Sequence, residues 1–175
     1  MKPLEIYASE WLNCAAPLSL EKYRGKVVVV TAFQMLCPAC VSHSLPQAMD
    51  LSRTFSNKDV QVIGLHTVFE HHDAMDSNAL KAFLQEYRIS IPVAIDQAQA
   101  SGTPRTMSTW GLSGTPSLLI FGPGGELRLR HFGLLPDVVL GHCIGRLNNG
   151  HSSTDNPANF GSNTTAKGCR PGDTE

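Results

Sequence analysis

The chain has 175 residues, 17% of them charged and 42% apolar, with a formal net charge of −1 at pH 7. That length fits one domain, with or without a tail. The balanced charge excludes a general polyanion binder, since affinity for a phosphate backbone needs an excess of Lys and Arg, and no run approaches the roughly 18–20 apolar residues that cross a bilayer.

The first residues, MKPLEIYASEWLNC, lack a basic start followed by an apolar run. No signal peptide is expected, and a cytoplasmic location follows. Val27 to Val30 is an unbroken β-branched run extended by Thr31, Ala32 and Phe33, which predicts a strand buried on both faces. Pro38 then suits the first turn of a helix. Leu45, Ala48, Met49, Leu51 and Phe55 follow at helical spacing, and Pro46 inside the pattern predicts a kink. Val60, Val62, Ile63 and Leu65 form a second buried strand, completing a parallel strand–helix–strand unit.

Leu80, Phe83, Leu84 and Tyr87 recur as one helical face, with Ser77 as the expected N-cap. Ile91 to Ile95 is a short extended piece, which Pro92 is expected to keep out of a central ladder. Thr103 to Trp110 predicts a short helix stopped by Gly111. Ser117 to Phe121 and Leu127 to Phe132 predict a hairpin around Gly122–Gly125. Leu140, Cys143, Ile144 and Leu147 mark a closing helix. The fold class is therefore α/β, a mixed central sheet with helices on both faces, over residues 1–147. Residues 148–175, rich in Gly, Ser, Asn and Thr, are expected to form a disordered tail.

Two of five cysteines form Cys37-Pro38-Ala39-Cys40 at the expected strand-to-helix junction. A sulfur at a helix N-terminus meets unpaired amides and a favourable dipole, so its thiolate is stabilised and reactive. Cys40 lies one turn deeper on the same helix face, within reach of a disulfide, and is expected to be more buried and less ionised. Cys37 is thus the expected attacking thiol and Cys40 the resolving one. The competing readings are two structural cysteines, or half of a zinc site. No second C-x-x-C or H-x-x-x-H supplies the remaining zinc ligands, so no metal is expected.

Much later comes Gly111-Leu112-Ser113-Gly114-Thr115-Pro116, directly before a strand. With RGKVVVVTAF, the CPAC motif, VQVIGLHTVFE, IPVAIDQ and GLSGTPSLLIF in that order, the chain resembles thioredoxin-fold redoxins of the TlpA-like thiol–disulfide oxidoreductase family. The resemblance runs from about Trp11 to Leu147. It implies a thioredoxin-like fold and a cis Pro116 packed beside the cysteine pair. It further implies that the Thr115 backbone pairs with an extended substrate. The partner implied is a disulfide-containing protein or a small thiol, with no bound cofactor, no nucleic acid and no membrane, and the chain is expected to be a monomer. The same resemblance leaves export to the periplasm open beside the cytoplasmic expectation.

The sequence departs from that family in places. Leu36 stands where many relatives carry Trp, Thr31 replaces a buried acid of thioredoxin, and Val41-Ser42-His43-Ser44 lacks a glutamate found after the second cysteine of TlpA-like relatives. His43 and His66 are the candidates for tuning the pair. His71 and His72, adjacent and unable to point the same way on a regular element, are expected in a solvated loop. Cys14 and Cys143 are expected to have no role, and Cys169, in the tail, at most to pair between chains. Two other functions compete: a peroxiredoxin-like hydroperoxide reductase, whose P-x-x-x-T-x-x-C pattern is missing around Cys37, and a non-catalytic metal- or partner-binding module.

Overall fold

The computed structural model describes residues 4–150 and 168–171. Six strands form one sheet: β1 (Ala8–Leu12), β2 (Val27–Phe33), β3 (Val60–His66), β4 (Val93–Asp96), β5 (Ser117–Phe121) and β6 (Leu127–Phe132), in the order β1-β4-β3-β2-β5-β6. β2 runs parallel to β3, and β3 to β4, while the β1–β4, β2–β5 and β5–β6 pairs are antiparallel. Among the described residues four α-helices accompany them: α1 (Leu45–Thr54), α2 (Ser77–Glu86), α3 (Arg105–Trp110) and α4 (Asp137–Asn148).

The period of two along β2 divides the interior. Val27, Val29 and Phe33 enter a core built with Leu45 of α1, Leu80 and Leu84 of α2, and Leu140 and Ile144 of α4. Val28, Val30 and Ala32 enter a second core with Ile63, Leu65, Trp110, Leu119 and Phe121. All seven β2 residues are buried, and each large apolar side chain so placed contributes about 1.5–3 kcal/mol relative to exposure. The mixed sheet with helices on both faces is the α/β architecture that the punctuation of the sequence implies.

Two local expectations are corrected, and the disturbance expected at Pro46 takes a definite form. Val93–Asp96 is an interior strand between β1 and β3, although Pro92 was expected to keep this segment out of a central ladder. Pro92 sits one residue ahead of the strand, so its missing N–H costs no ladder bond, and its carbonyl accepts from Gly64 N at 2.9 Å. The cap of α2 is Asp76, whose carboxylate accepts from Ala79 N at 2.8 Å; Ser77 is already helical and its hydroxyl bonds Glu10. Ahead of Pro46, the helical path widens into a π-turn over Cys40–Ser44, in which Leu45 N donates to the Cys40 carbonyl five residues back. Pro46 has no N–H to continue the ordinary ladder.

The described part of the C-terminal segment, 168–171, is packed: Cys169 pairs with Thr115 in an antiparallel bridge. The rest of the expected tail beyond Gly150 lies outside the described residues.

Candidate active site

β2 delivers the chain to the site and a tight turn ends it. Cys37 N donates to the Gln34 carbonyl at 3.1 Å, and the Cys37 carbonyl accepts from Val41 N at 3.1 Å, so Cys37 occupies the N-cap position of the helix that begins at Pro38. Gln34, fully buried, braces the turn from behind: its amide donates to Glu70 and its oxygen accepts from Phe69 N. Thr67 N donates to the Phe33 carbonyl at 3.1 Å, closing the loop after β3 against the end of β2. The C-x-x-C spacing did not disclose Gln34 as the brace.

The two sulfurs differ in environment. Cys37 is 2% exposed and Cys40 fully buried. A hydrogen bond from the Cys40 thiol holds the Cys37 thiol well below the usual thiol range, against the penalty of burial; the Cys40 backbone N–H, the Cys169 side chain and Thr115 add to the lowering. Cys40 is pushed up, by burial first and then by its hydrogen bond to, and the charge of, Cys37. One thiol therefore stabilises a negative charge on the other. No disulfide is formed among the five cysteines.

From the far side of the fold, the loop before β5 reaches the pair. The Thr115-Pro116 peptide is cis. Cys37 Sγ lies 3.7 Å from the Thr115 carbonyl oxygen. Thr115 itself is buried, and Ser117 Oγ donates to the Gly114 carbonyl at 2.7 Å, fixing the loop. Leu36, immediately before Cys37, is 53% exposed and forms an apolar lip.

The structure thus gathers Cys37, Cys40, Thr115 and Pro116, and adds Cys169. The histidines stand apart. His43 is exposed, with its ring Nδ1 2.6 Å from Ser42 Oγ. His66 is 1% exposed at the end of β3, its ring 5.2 Å from that of Phe33, and neither ring nitrogen has a hydrogen-bond partner. His71 and His72 are exposed, and among the described residues no cluster of three or more His, Cys, Asp or Glu side chains is placed to hold a metal. Cys14 and Cys143 are half-buried.

Residues 13–121 match the family described as Redoxin. The chain belongs to the redoxin family. Among solved structures, this redoxin superposes on a thioredoxin-like superfamily protein with a TM-score of 0.82 and 49% identity, covering 85% of this chain and 96% of that one. It superposes equally on a thiol-disulfide isomerase from Corynebacterium glutamicum, with a TM-score of 0.81, 47% identity, and coverage of 87% and 97%. The redoxin is also 35% identical over 121 residues to NHL repeat-containing protein 2 of Gallus gallus, and 33% identical to that of Homo sapiens. Those matches take in 67% of this chain and 16% of the relatives, so the redoxin corresponds to about one sixth of their length. Its fold is thioredoxin-like. No helix among its described residues is long and apolar enough to cross a membrane.

Proposed function

We propose that this redoxin is a thiol–disulfide oxidoreductase that exchanges disulfides with a protein or small-thiol partner through Cys37 and Cys40. The observation that carries the reading is the placement of the two thiols: Cys37 at a helix N-cap, 3.7 Å from the Thr115 carbonyl oxygen, and Cys40 fully buried one turn behind it; the lowered pKa of Cys37 and the raised one of Cys40 agree with it. The Cys37 thiolate attacks one sulfur of the partner's disulfide. The partner's S–S bond breaks, its second sulfur leaves as a thiolate, and a mixed disulfide forms at Cys37. Bonding removes the negative charge from Cys37, and with it one of the causes that raise Cys40. The Cys40 thiol then gives up its proton, attacks Cys37 Sγ, and releases the partner's first sulfur. Two electrons pass to the partner, and the protein is left with a Cys37–Cys40 disulfide.

Thr115 and Pro116 fit the seat of an extended partner strand. The Thr115 backbone faces the attacking sulfur, and Leu36 offers an exposed apolar contact beside it. An edge of this kind recognises backbone rather than sequence, which suits a protein partner. The isomerase name carried by the Corynebacterium glutamicum neighbour supports the same class of chemistry.

The test is reduction of insulin by dithiothreitol, followed by turbidity. Cys37→Ser is expected to abolish catalysis, and the double variant Cys40→Ser/Cys169→Ser, which leaves no second thiol beside Cys37, to accumulate a mixed disulfide that a reductant releases. Full activity in Cys37→Ser overturns the proposal.

A further inference from the structure

A cysteine far from the pair in sequence reaches the same seat. Cys169 N donates to the Thr115 carbonyl at 2.6 Å, and Thr115 N donates to the Cys169 carbonyl at 2.7 Å. Both backbone groups of Thr115, the ones a partner strand would use, are thus engaged by one residue of the same chain in an antiparallel bridge. The oxygen that accepts from Cys169 N is the one 3.7 Å from Cys37 Sγ.

The surroundings are shaped for this contact. Gly168 is buried, and a Cβ there would stand 2.6 Å from the Thr115 oxygen and 2.9 Å from the Phe132 ring. Gly114, with φ +154°, faces it: a Cβ there would stand 2.0 Å from the Cys169 carbonyl oxygen. Two glycines on facing segments permit an approach that side chains would forbid. The Arg170 guanidinium lies 5.0 Å over the Phe132 ring, holding the next residue to the sheet edge. The Cys169 side chain packs against the core cluster that contains Cys37 and Cys40.

We propose that Cys169 is a third redox cysteine, which forms an intrachain disulfide with Cys37 while residues 168–171 occupy the seat of a partner strand. This rests on the Cys37–Cys40 reading above. In the oxidised pair, the Cys169 thiolate attacks Cys37 Sγ. The Cys37–Cys40 bond breaks, a Cys37–Cys169 bond forms, and Cys40 leaves as a thiolate that takes up the proton lost by Cys169. The exchange transfers no net electrons and needs no outside oxidant. Tethered in its seat, Cys169 competes with partners from a high effective concentration. The segment is a built-in substrate that regulates access to Cys37.

The experiment uses full-length Cys40→Ser protein treated with oxidised glutathione, quenched in acid, blocked with N-ethylmaleimide and mapped by non-reducing peptide mass spectrometry. Glutathione first caps Cys37 as a mixed disulfide, and Cys169 then displaces it as the free thiol. The expected product is a monomer with a Cys37–Cys169 disulfide. A stable Cys37–glutathione adduct with Cys169 blocked by N-ethylmaleimide overturns the proposal, as does a Cys169 link found only between chains. Gly168→Val in the same background is expected to lower the yield of the link by about tenfold or more while Cys37 is still glutathionylated; an unchanged yield overturns the seating. The two readings fail separately. Wild-type protein that forms no Cys37–Cys40 disulfide at any glutathione ratio sinks the redox pair. Wild-type protein that forms it, with no Cys37–Cys169 link in Cys40→Ser, sinks only the third cysteine.

Discussion

His66 carries a titratable ring with no polar partner, tilted against the Phe33 ring at the end of β3. Burial lowers its pKa to about 4, because a charged imidazolium there would lose its hydration with nothing in exchange. In the unfolded chain the same ring titrates near 6.5. Between those two values the unfolded state binds a proton that the native state does not. Stability from this residue is therefore fully present above about pH 6.5 and is lost as the pH falls toward 4. By pH 4.5 the loss amounts to roughly 2–3 kcal/mol. Urea denaturation of wild type and His66→Leu at pH 7 and pH 4.5 measures it: the wild type should weaken by that much more than the variant. Equal acid sensitivity would remove the imidazole from the account. His66 then serves the packing of the strand end, a role that a histidine among apolar strand residues does not announce in sequence.

Elements show where local pattern suffices. β2, β3 and β5 are dense β-branched or aliphatic runs, buried on both faces, and their composition alone marks them. β1 carries no such mark. Ala8–Leu12 is mostly half-buried and earns its strand geometry by pairing with β4, a partner more than eighty residues away. Pro92 shows the same dependence on context: one position further on it would have broken the ladder. The start of α2 gives a direct check, since Asp76 and Ser77 are both good capping residues and only the carboxylate accepts a helical N–H. Asp76→Ala is expected to cost about 1 kcal/mol in chemical denaturation. Ser77→Ala, which loses only a hydroxyl contact to Glu10, should cost less than about 0.5 kcal/mol. A reversed order would return the cap to Ser77.

At the scale of the whole molecule, the cysteine pair was legible because its chemistry is local, a doublet with helical spacing after a buried strand. The approach of Thr115 and Pro116 came from resemblance, not from pattern, since 78 positions separate Cys37 from Thr115. Cys169 was hidden altogether. It sits within a stretch whose composition signals no packing, and its place is set by backbone pairing and by two glycines that leave room. The sheet also sorts the molecule into two sides. Cys37 and Cys40 belong to the core under α1, α2 and α4, whereas Trp110 lies in the opposite core, edge-on to Phe121 at 5.6 Å, with Trp11 packed against that same side. The sheet lies between the two cores, so the indoles and the redox sulfurs pack on opposite faces of it. Intrinsic emission should therefore stay constant to within a few nanometres when dithiothreitol reduces the protein, yet shift to the red when urea opens the far core. In this redoxin the natural chromophores report whether the chain is folded, and the oxidation state of its sulfurs passes unseen by them.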